Sequence, residues 1–298
     1  MEHSGHLNLS TVIPPATELH PNLRSSEHVR PHLLVSVRNS QEARLARSSG
    51  VDWIDLKNPD SGALGAADEA TAAAVAQELQ QSDGFDEAAS RLTSAAVGEL
   101  RDWPTAAVES LARYFPLLKV GLSGLRDRQH WPEQVAEFAN TVKLAGSRLV
   151  PVIYADYEVC NAPAPAQIVE VASRLDEQQS ASGIGLQAAS AAGHDPGRAL
   201  AASGVDTQRY LLVDTFTKDG RRLLDWMQLA ELQAIVEQVA ASGRQTVVAG
   251  SLALQDLPQL MSLPVAAIAI RGAVCADDRR SGLCPAKLQQ WVELFSAR

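Results

Sequence analysis

Only five of the 26 basic residues in this chain are lysines, namely Lys57, Lys119, Lys143, Lys218 and Lys287. Arginine therefore meets nearly all the demand for surface cations, and a lysine set in apolar sequence points to a need for an amine. A desolvated ammonium can lose its proton and attack a carbonyl, whereas a guanidinium stays protonated. In VDWIDLK (51–57) polar and apolar residues alternate as in a strand, so Trp53, Asp55 and Lys57 share one face. Lys119 in LLKVG, and Lys218 just after Asp214 in VDTFTKDG, repeat the coupling of an amine to a strand end.

Three lysines and two aspartates in one cavity suit Schiff-base chemistry. Neighbouring cations and partial burial lower an amine's pKa, and a carboxylate, although it raises that pKa, can shuttle protons while a carbinolamine dehydrates. Each lysine taken alone could equally be the salt-bridge partner of the adjacent aspartate, reaching out to solvent. Convergence of all three favours chemistry, because stability seldom calls for several cations in one cavity.

Further along, VAGS and AIRGA place Gly250, Ser251, Arg271 and Gly272 at two more strand ends. Small residues there let backbone N–H groups approach an anion, so these four are candidate ligands for a substrate phosphate, or else the glycines simply make tight turns. Ser36 and Asp156 also fall at strand ends, where such side chains often only cap helices. SGALG and GLSG are too short to be specific, and His130 and His194 lack the partners a nucleophilic triad needs.

These residues need a scaffold that gathers strand ends. Eight apolar runs, at about 32–37, 51–57, 91–98, 115–124, 148–156, 209–220, 245–251 and 265–273, alternate with helical segments. Asn39 or Ser40 caps the first helix and Gly50 closes it. Eight βα units predict an α/β fold, a (β/α)8 TIM barrel with its site at the C-terminal ends of the strands. An open doubly wound sheet is the competitor, but GxGxxG after the first strand is absent. The expected organisation is a mobile N-terminal tail over 1–30 and a single barrel domain over 31–298, with an extended connection around 177–200.

Charge and composition narrow the partners. A formal net charge of -9 with scattered basic residues argues against nucleic acid, and no apolar run approaches the roughly 20 residues of a membrane span. Cys160, Cys275 and Cys284, odd in number and without CxxC, favour a reducing cytoplasm over a structural metal site. The expected partner is a small phosphorylated substrate, with no metal, and homo-oligomerisation is left open.

Taken together, WIDLKNPDSGALGA, LLKVGLSG, YAD, LLVDTFTKDGRRLLDW, VAGS and AIRGAVC resemble the (5-formylfuran-3-yl)methyl phosphate synthase family, in order from about residue 32 to 296. DLKNP…GxLGA and DTxxKDG are the most specific of these motifs. The resemblance implies a class I aldolase-like barrel that condenses two molecules of glyceraldehyde 3-phosphate, with loss of phosphate and water, into the furan precursor of methanofuran. It implies no metal or organic cofactor. Carried over by motif, Lys57 is the Schiff-base lysine and Asp55 its proton-transfer neighbour. Lys119 acts as general acid or base, and Asp214 with Lys218 completes the site. The rivals are another class I aldolase acting on a phosphosugar, and a non-catalytic barrel that binds a phosphometabolite.

Overall fold

The computed structural model describes residues 30–80, 92–181 and 209–296. Most of the expected tail and most of the expected 177–200 extension lie outside the described residues. Eight parallel strands close into a barrel in sequence order: β1 (His32–Val37), β2 (Trp53–Leu56), β3 (Leu92–Glu99), β4 (Leu117–Gly121), β5 (Arg148–Tyr154), β6 (Tyr210–Asp214), β7 (Gln245–Val248) and β8 (Ala267–Ile270). This is the (β/α)8 architecture. Around it run α1 (Ser40–Ser48), α2 (Glu69–Gln80), α3 (Thr105–Leu111), α4 (Trp131–Leu144), α5 (Pro165–Ala181), α6 (Leu223–Trp226), α7 (Leu229–Ala241), α8 (Leu257–Leu260) and α9 (Pro285–Ser296).

Helix boundaries follow local chemistry. Asn39 caps α1, its side-chain oxygen accepting from the Glu42 N–H at 2.9 Å, and Gly50 turns the chain into β2 with φ +86. Strand alternation then sorts the side chains. Val35, Ile54, Leu56, Leu118, Val120, Val213 and Ile268 face outward into a buried layer shared with the helices. Leu34, Trp53, Leu117, Val150, Val152, Tyr210, Leu212 and Val247 fill the barrel itself. Burying each such side chain stabilises the fold by about 1.5–3 kcal/mol.

The inner floor is aromatic. Trp53 meets Tyr210 edge to face, with centroids 5.0 Å apart, and donates from Nε1 to Ser94 Oγ at 3.0 Å. Directly above it the register aligns Ser36 with Asp55 and Asp55 with Ser94. Polar side chains thus begin one pleat above the floor, on the face that opens at the C-terminal strand ends.

One irregularity matters for the mouth. The register of β3 against β4 slips between Ala96 and Gly98, and Gly98 has φ +104. Such a bulge exchanges which residues face inward. Glu99 comes to lie opposite Gly121 and points over it, so closely that a Cβ on Gly121 would stand 2.3 Å from the Glu99 carboxylate and from the Tyr154 hydroxyl.

Candidate active site

A cavity of about 140 Å³ opens at the C-terminal end of the barrel. Lys57, Lys119, Asp214 and Lys218 line it on one side, and Gly250, Ser251, Arg271 and Gly272 on the other. The structure therefore brings together eight of the nine residues singled out from sequence, and the ninth, Asp55, lies beneath them bonded to Lys119.

Asp55 is fully buried and saturated with partners. Lys119 Nζ sits 2.5 Å from its Oδ2, Ser36 Oγ donates to the same oxygen at 2.9 Å, and Ser94 Oγ donates to Oδ1 at 2.7 Å. With Lys119 only 5% exposed, the pair is almost wholly removed from water. Such a pair persists only when hydrogen bonds satisfy its remaining lone pairs, and the two serines do so here.

Asp214 forms a second pair nearer solvent. Its Oδ1 accepts from Lys218 Nζ at 2.9 Å and from the Thr215 N–H at 2.7 Å, while Lys218 also reaches Thr215 Oγ1 at 3.0 Å. Burial alone would raise the Asp214 carboxyl, but Lys218, Lys57 and these hydrogen bonds hold it below its ordinary value.

Lys57 stands between the pairs without belonging to either. Its backbone N–H continues the ladder to the Val37 carbonyl at 3.0 Å, but its amine has no carboxylate within ion-pairing distance among the described residues. Desolvation lowers its pKa from 10.5 to about 7; the charges of Lys119 and Lys218 add to that, and Asp214 and Asp55 oppose it. Near neutral pH this amine is therefore far more readily unprotonated, and so nucleophilic, than an ordinary lysine.

The opposite side is built from backbone. Gly250 and Ser251 both adopt positive φ, +113 and +52, which re-aims the chain as it leaves β7. Glycine is required at 250, because a Cβ there would meet Leu223 Cβ at 3.0 Å and Thr215 Cγ2 at 3.1 Å. Among the described residues, the N–H groups of Ser251, Leu252, Gly272 and Ala273 have no hydrogen-bond acceptor. Open N–H groups in the backbone that lines one cavity suit an anion. Arg271 contributes here through its backbone and stem, since its guanidinium is bound elsewhere, to Glu42 of α1 and to three carbonyls.

Several positions beyond these nine also shape the mouth. Arg279, in the loop after β8, lines the cavity. Burial pushes its guanidinium below the ordinary value, with the Asp214 charge opposing. Glu99 accepts from the Tyr154 hydroxyl at 2.6 Å and from Ser123 Oγ at 2.7 Å, and burial together with the Glu99 charge pushes the Tyr154 phenol well up, so it remains a donor. Asp156, named above as a strand-end residue, accepts from the N–H groups of Phe216 and Thr217, both at 2.7 Å, and so fixes the loop that carries Lys218. No group of three or more His, Cys, Asp or Glu side chains that could hold a metal ion occurs among the described residues. No helix there is long and apolar enough to cross a membrane.

Comparison with known proteins bears on the fold and on the family. In solved structures, the chain superimposes with a TM-score of 0.53 and 12% identity on octameric ribulose-1,5-bisphosphate carboxylase/oxygenase from Pyrococcus horikoshii, over 90% of this chain and 58% of that one; this likeness shows the barrel fold alone. Among sequences, the chain is 30% identical over 259 residues to the (5-formylfuran-3-yl)methyl phosphate synthase of Methanococcus maripaludis strain S2, covering 84% of this chain and 92% of that protein. It is 28% identical over 257 residues to the synthase of the same name from Methanosarcina mazei, covering 84% and 93%. The family described as 4-HFC-P synthase matches residues 33–181 and 187–292. On a match of that extent, the chain belongs to this (5-formylfuran-3-yl)methyl phosphate synthase family of enzymes.

Proposed function

We propose that this protein is a lyase that condenses two molecules of glyceraldehyde 3-phosphate into (5-formylfuran-3-yl)methyl phosphate through a Schiff base on Lys57, in the cytoplasm, as a step towards a methanofuran-type one-carbon cofactor. The observation that carries the mechanism is the Lys57 amine, without a carboxylate partner among the described residues and with its pKa brought down to about 7, lining a cavity between two Asp–Lys pairs. Names borne by the relatives support the product. Four open N–H groups support a phosphorylated substrate.

In this reading the neutral Lys57 amine attacks the carbonyl of one triose phosphate, and the carbinolamine loses water to give an iminium. Loss of the α-proton yields an enamine, whose carbon attacks the aldehyde of the second triose phosphate. Ring closure, dehydration and elimination of one phosphate complete the furan, and hydrolysis of the imine frees Lys57. Lys119, Asp55, Asp214 and Lys218 are the groups placed to move the protons, because each belongs to a hydrogen-bonded pair beside the amine.

The test is borohydride reduction during incubation with glyceraldehyde 3-phosphate, followed by mass analysis of peptides. The expected result is a reduced triose adduct on Lys57, furan product in the unreduced reaction, and loss of both in Lys57→Arg. An untrappable enzyme whose turnover survives Lys57→Arg would sink the Schiff base, whereas an adduct without furan would point to an aldolase acting on another phosphosugar.

A further inference from the structure

Two arginines of the loop after β8 reach the cavity, and they are bonded very differently. A guanidinium carries five N–H donors. For Arg271 all are engaged: Nε with the Arg279 carbonyl at 2.7 Å, Nη1 with the Ser36 carbonyl at 2.9 Å and Glu42 Oε2 at 2.8 Å, and Nη2 with Glu42 Oε1 at 3.4 Å and the Ser281 carbonyl at 3.2 Å. Its charge is neutralised by a buried carboxylate, and a ligand could bind it only by dismantling that bracket. One of those bonds fixes the backbone of Arg279.

Arg279 itself is almost uncommitted. Its side chain makes one hydrogen bond, from Nη2 to the Gly62 carbonyl at 2.9 Å, and among the described residues no carboxylate lies within ion-pairing distance of it. It stands over the open backbone after β8, where a Cβ on Gly272 would come within 3.8 Å of its own Cβ. Of the other basic side chains here, Lys119 is matched by Asp55, Lys218 by Asp214 and Arg271 by Glu42. Within a chain of net charge -9, the mouth therefore keeps an unbalanced, preoriented guanidinium beside open N–H groups. A half-buried cation with free donors is completed by an anion of matching fork geometry.

We propose that Arg279 is the side-chain ligand of the substrate phosphate, closing over the N–H groups of Ser251 and Gly272 and selecting a phosphorylated triose over a free one. The identity of the substrate rests on the function proposed above; the phosphate site does not. Gly62 holds the guanidinium in place before binding, so little side-chain entropy is lost when the anion arrives.

The experiment uses the full chain and inorganic phosphate as the probe, titrated by calorimetry, with furan formation from glyceraldehyde 3-phosphate assayed in parallel. Arg279→Ala is expected to weaken phosphate binding and raise the KM for the triose phosphate by about tenfold or more, the range of a hydrogen bond to a charged group. Arg279→Lys should recover part of the loss. Arg280→Ala, whose exposed side chain faces Asp60 at 3.6 Å, should leave phosphate affinity unchanged. Unaltered phosphate binding in Arg279→Ala would overturn the assignment, as would a wild-type chain that binds no phosphate. So would equal losses in the Arg279 and Arg280 variants with a lowered Tm, which would make the loop a structural latch. Phosphate binding that depends on Arg279 without any furan product would overturn the synthase reading and leave the site standing.

Discussion

Along β1 to β4 the polar side chains of the mouth are bonded to one another, Ser36, Ser94 and Lys119 all converging on Asp55. Past β7 and β8 the backbone lining the same cavity has, among the described residues, four N–H groups without an acceptor, and most of the Arg279 donors are likewise unmatched. One wall is complete without a ligand and the other becomes complete with one. The difference separates two tasks: a saturated wall holds proton-transfer groups in fixed geometry through every turnover, whereas an unsaturated wall supplies binding energy only when an anion is present. Lys57, at the end of β2, stands on the saturated side, yet its amine belongs to neither Asp–Lys pair.

Breaking the saturated wall should have the largest effect. Asp55→Asn leaves the Lys119 ammonium buried without its counter-charge, which typically costs about 3–5 kcal/mol. Denaturant unfolding should register that loss, and turnover at neutral pH should fall by about 10²–10³-fold through loss of positioned proton transfer. Unchanged stability in Asp55→Asn would mean that the two serines, not the ion pair, hold this wall together.

The open wall should fail in KM. Gly250→Ala puts a methyl group against Leu223 and Thr215 in a backbone conformation with φ +113, at a cost of about 1–3 kcal/mol. Its KM for glyceraldehyde 3-phosphate should rise about tenfold with a smaller change in kcat. A variant that lost kcat and kept its KM would show that the two walls are not divided in this way.

How much of this contrast is legible in the sequence depends on where each residue sits. Period-two alternation was enough to turn Asp55, Lys57 and Lys119 inward, because register within a strand is local. The same logic placed Gly250, Ser251 and Gly272 at the mouth. Arg271 was also assigned to phosphate, but its guanidinium is claimed by Glu42, 229 residues earlier in the chain, and no local pattern announces that pairing. Arg279 lies in an irregular loop with no period to read, and only the closure of β8 against β1 carries it over the cavity. Glu99 was hidden for a different reason. A one-residue bulge reversed the facing of the end of β3, and the opposing Gly121 belongs to GLSG, a stretch too short to be specific.

The pH dependence tests the position of Lys57 between the two Asp–Lys pairs. Only the neutral amine attacks a carbonyl, so kcat/KM should fall about tenfold per pH unit below its pKa of about 7 and level off above it. The direction follows from a folded-state value below the ordinary 10.5: protonation on acidification removes the nucleophile. Lys119→Met removes a cation that depresses this pKa and should move the acid limb to higher pH. Asp214→Asn removes an anion that raises it and should move the limb lower. Pre-steady-state rates of imine formation measured across pH 5–9 would separate these shifts from losses in kcat, and movement of both limbs in one direction would exclude charge as the link between Lys57 and its neighbours.

Asp156 offers the gentlest test, since it touches the second Asp–Lys pair only through backbone. Its two oxygens accept from the N–H groups of Phe216 and Thr217, and Lys218 follows immediately. Asparagine keeps one acceptor and opposes the other N–H with a donor, a loss of about 1–3 kcal/mol locally. The loop should loosen, the Lys218–Asp214 distance of 2.9 Å should become less well held, and kcat should drop by only about three- to tenfold. Asp156 is not among the leading charges acting on the Lys57 amine, so the acid limb of the pH profile should stay where it is in the unaltered protein. A limb that moved in Asp156→Asn would make this carboxylate part of the electrostatic field at Lys57 and extend the saturated wall across to β5.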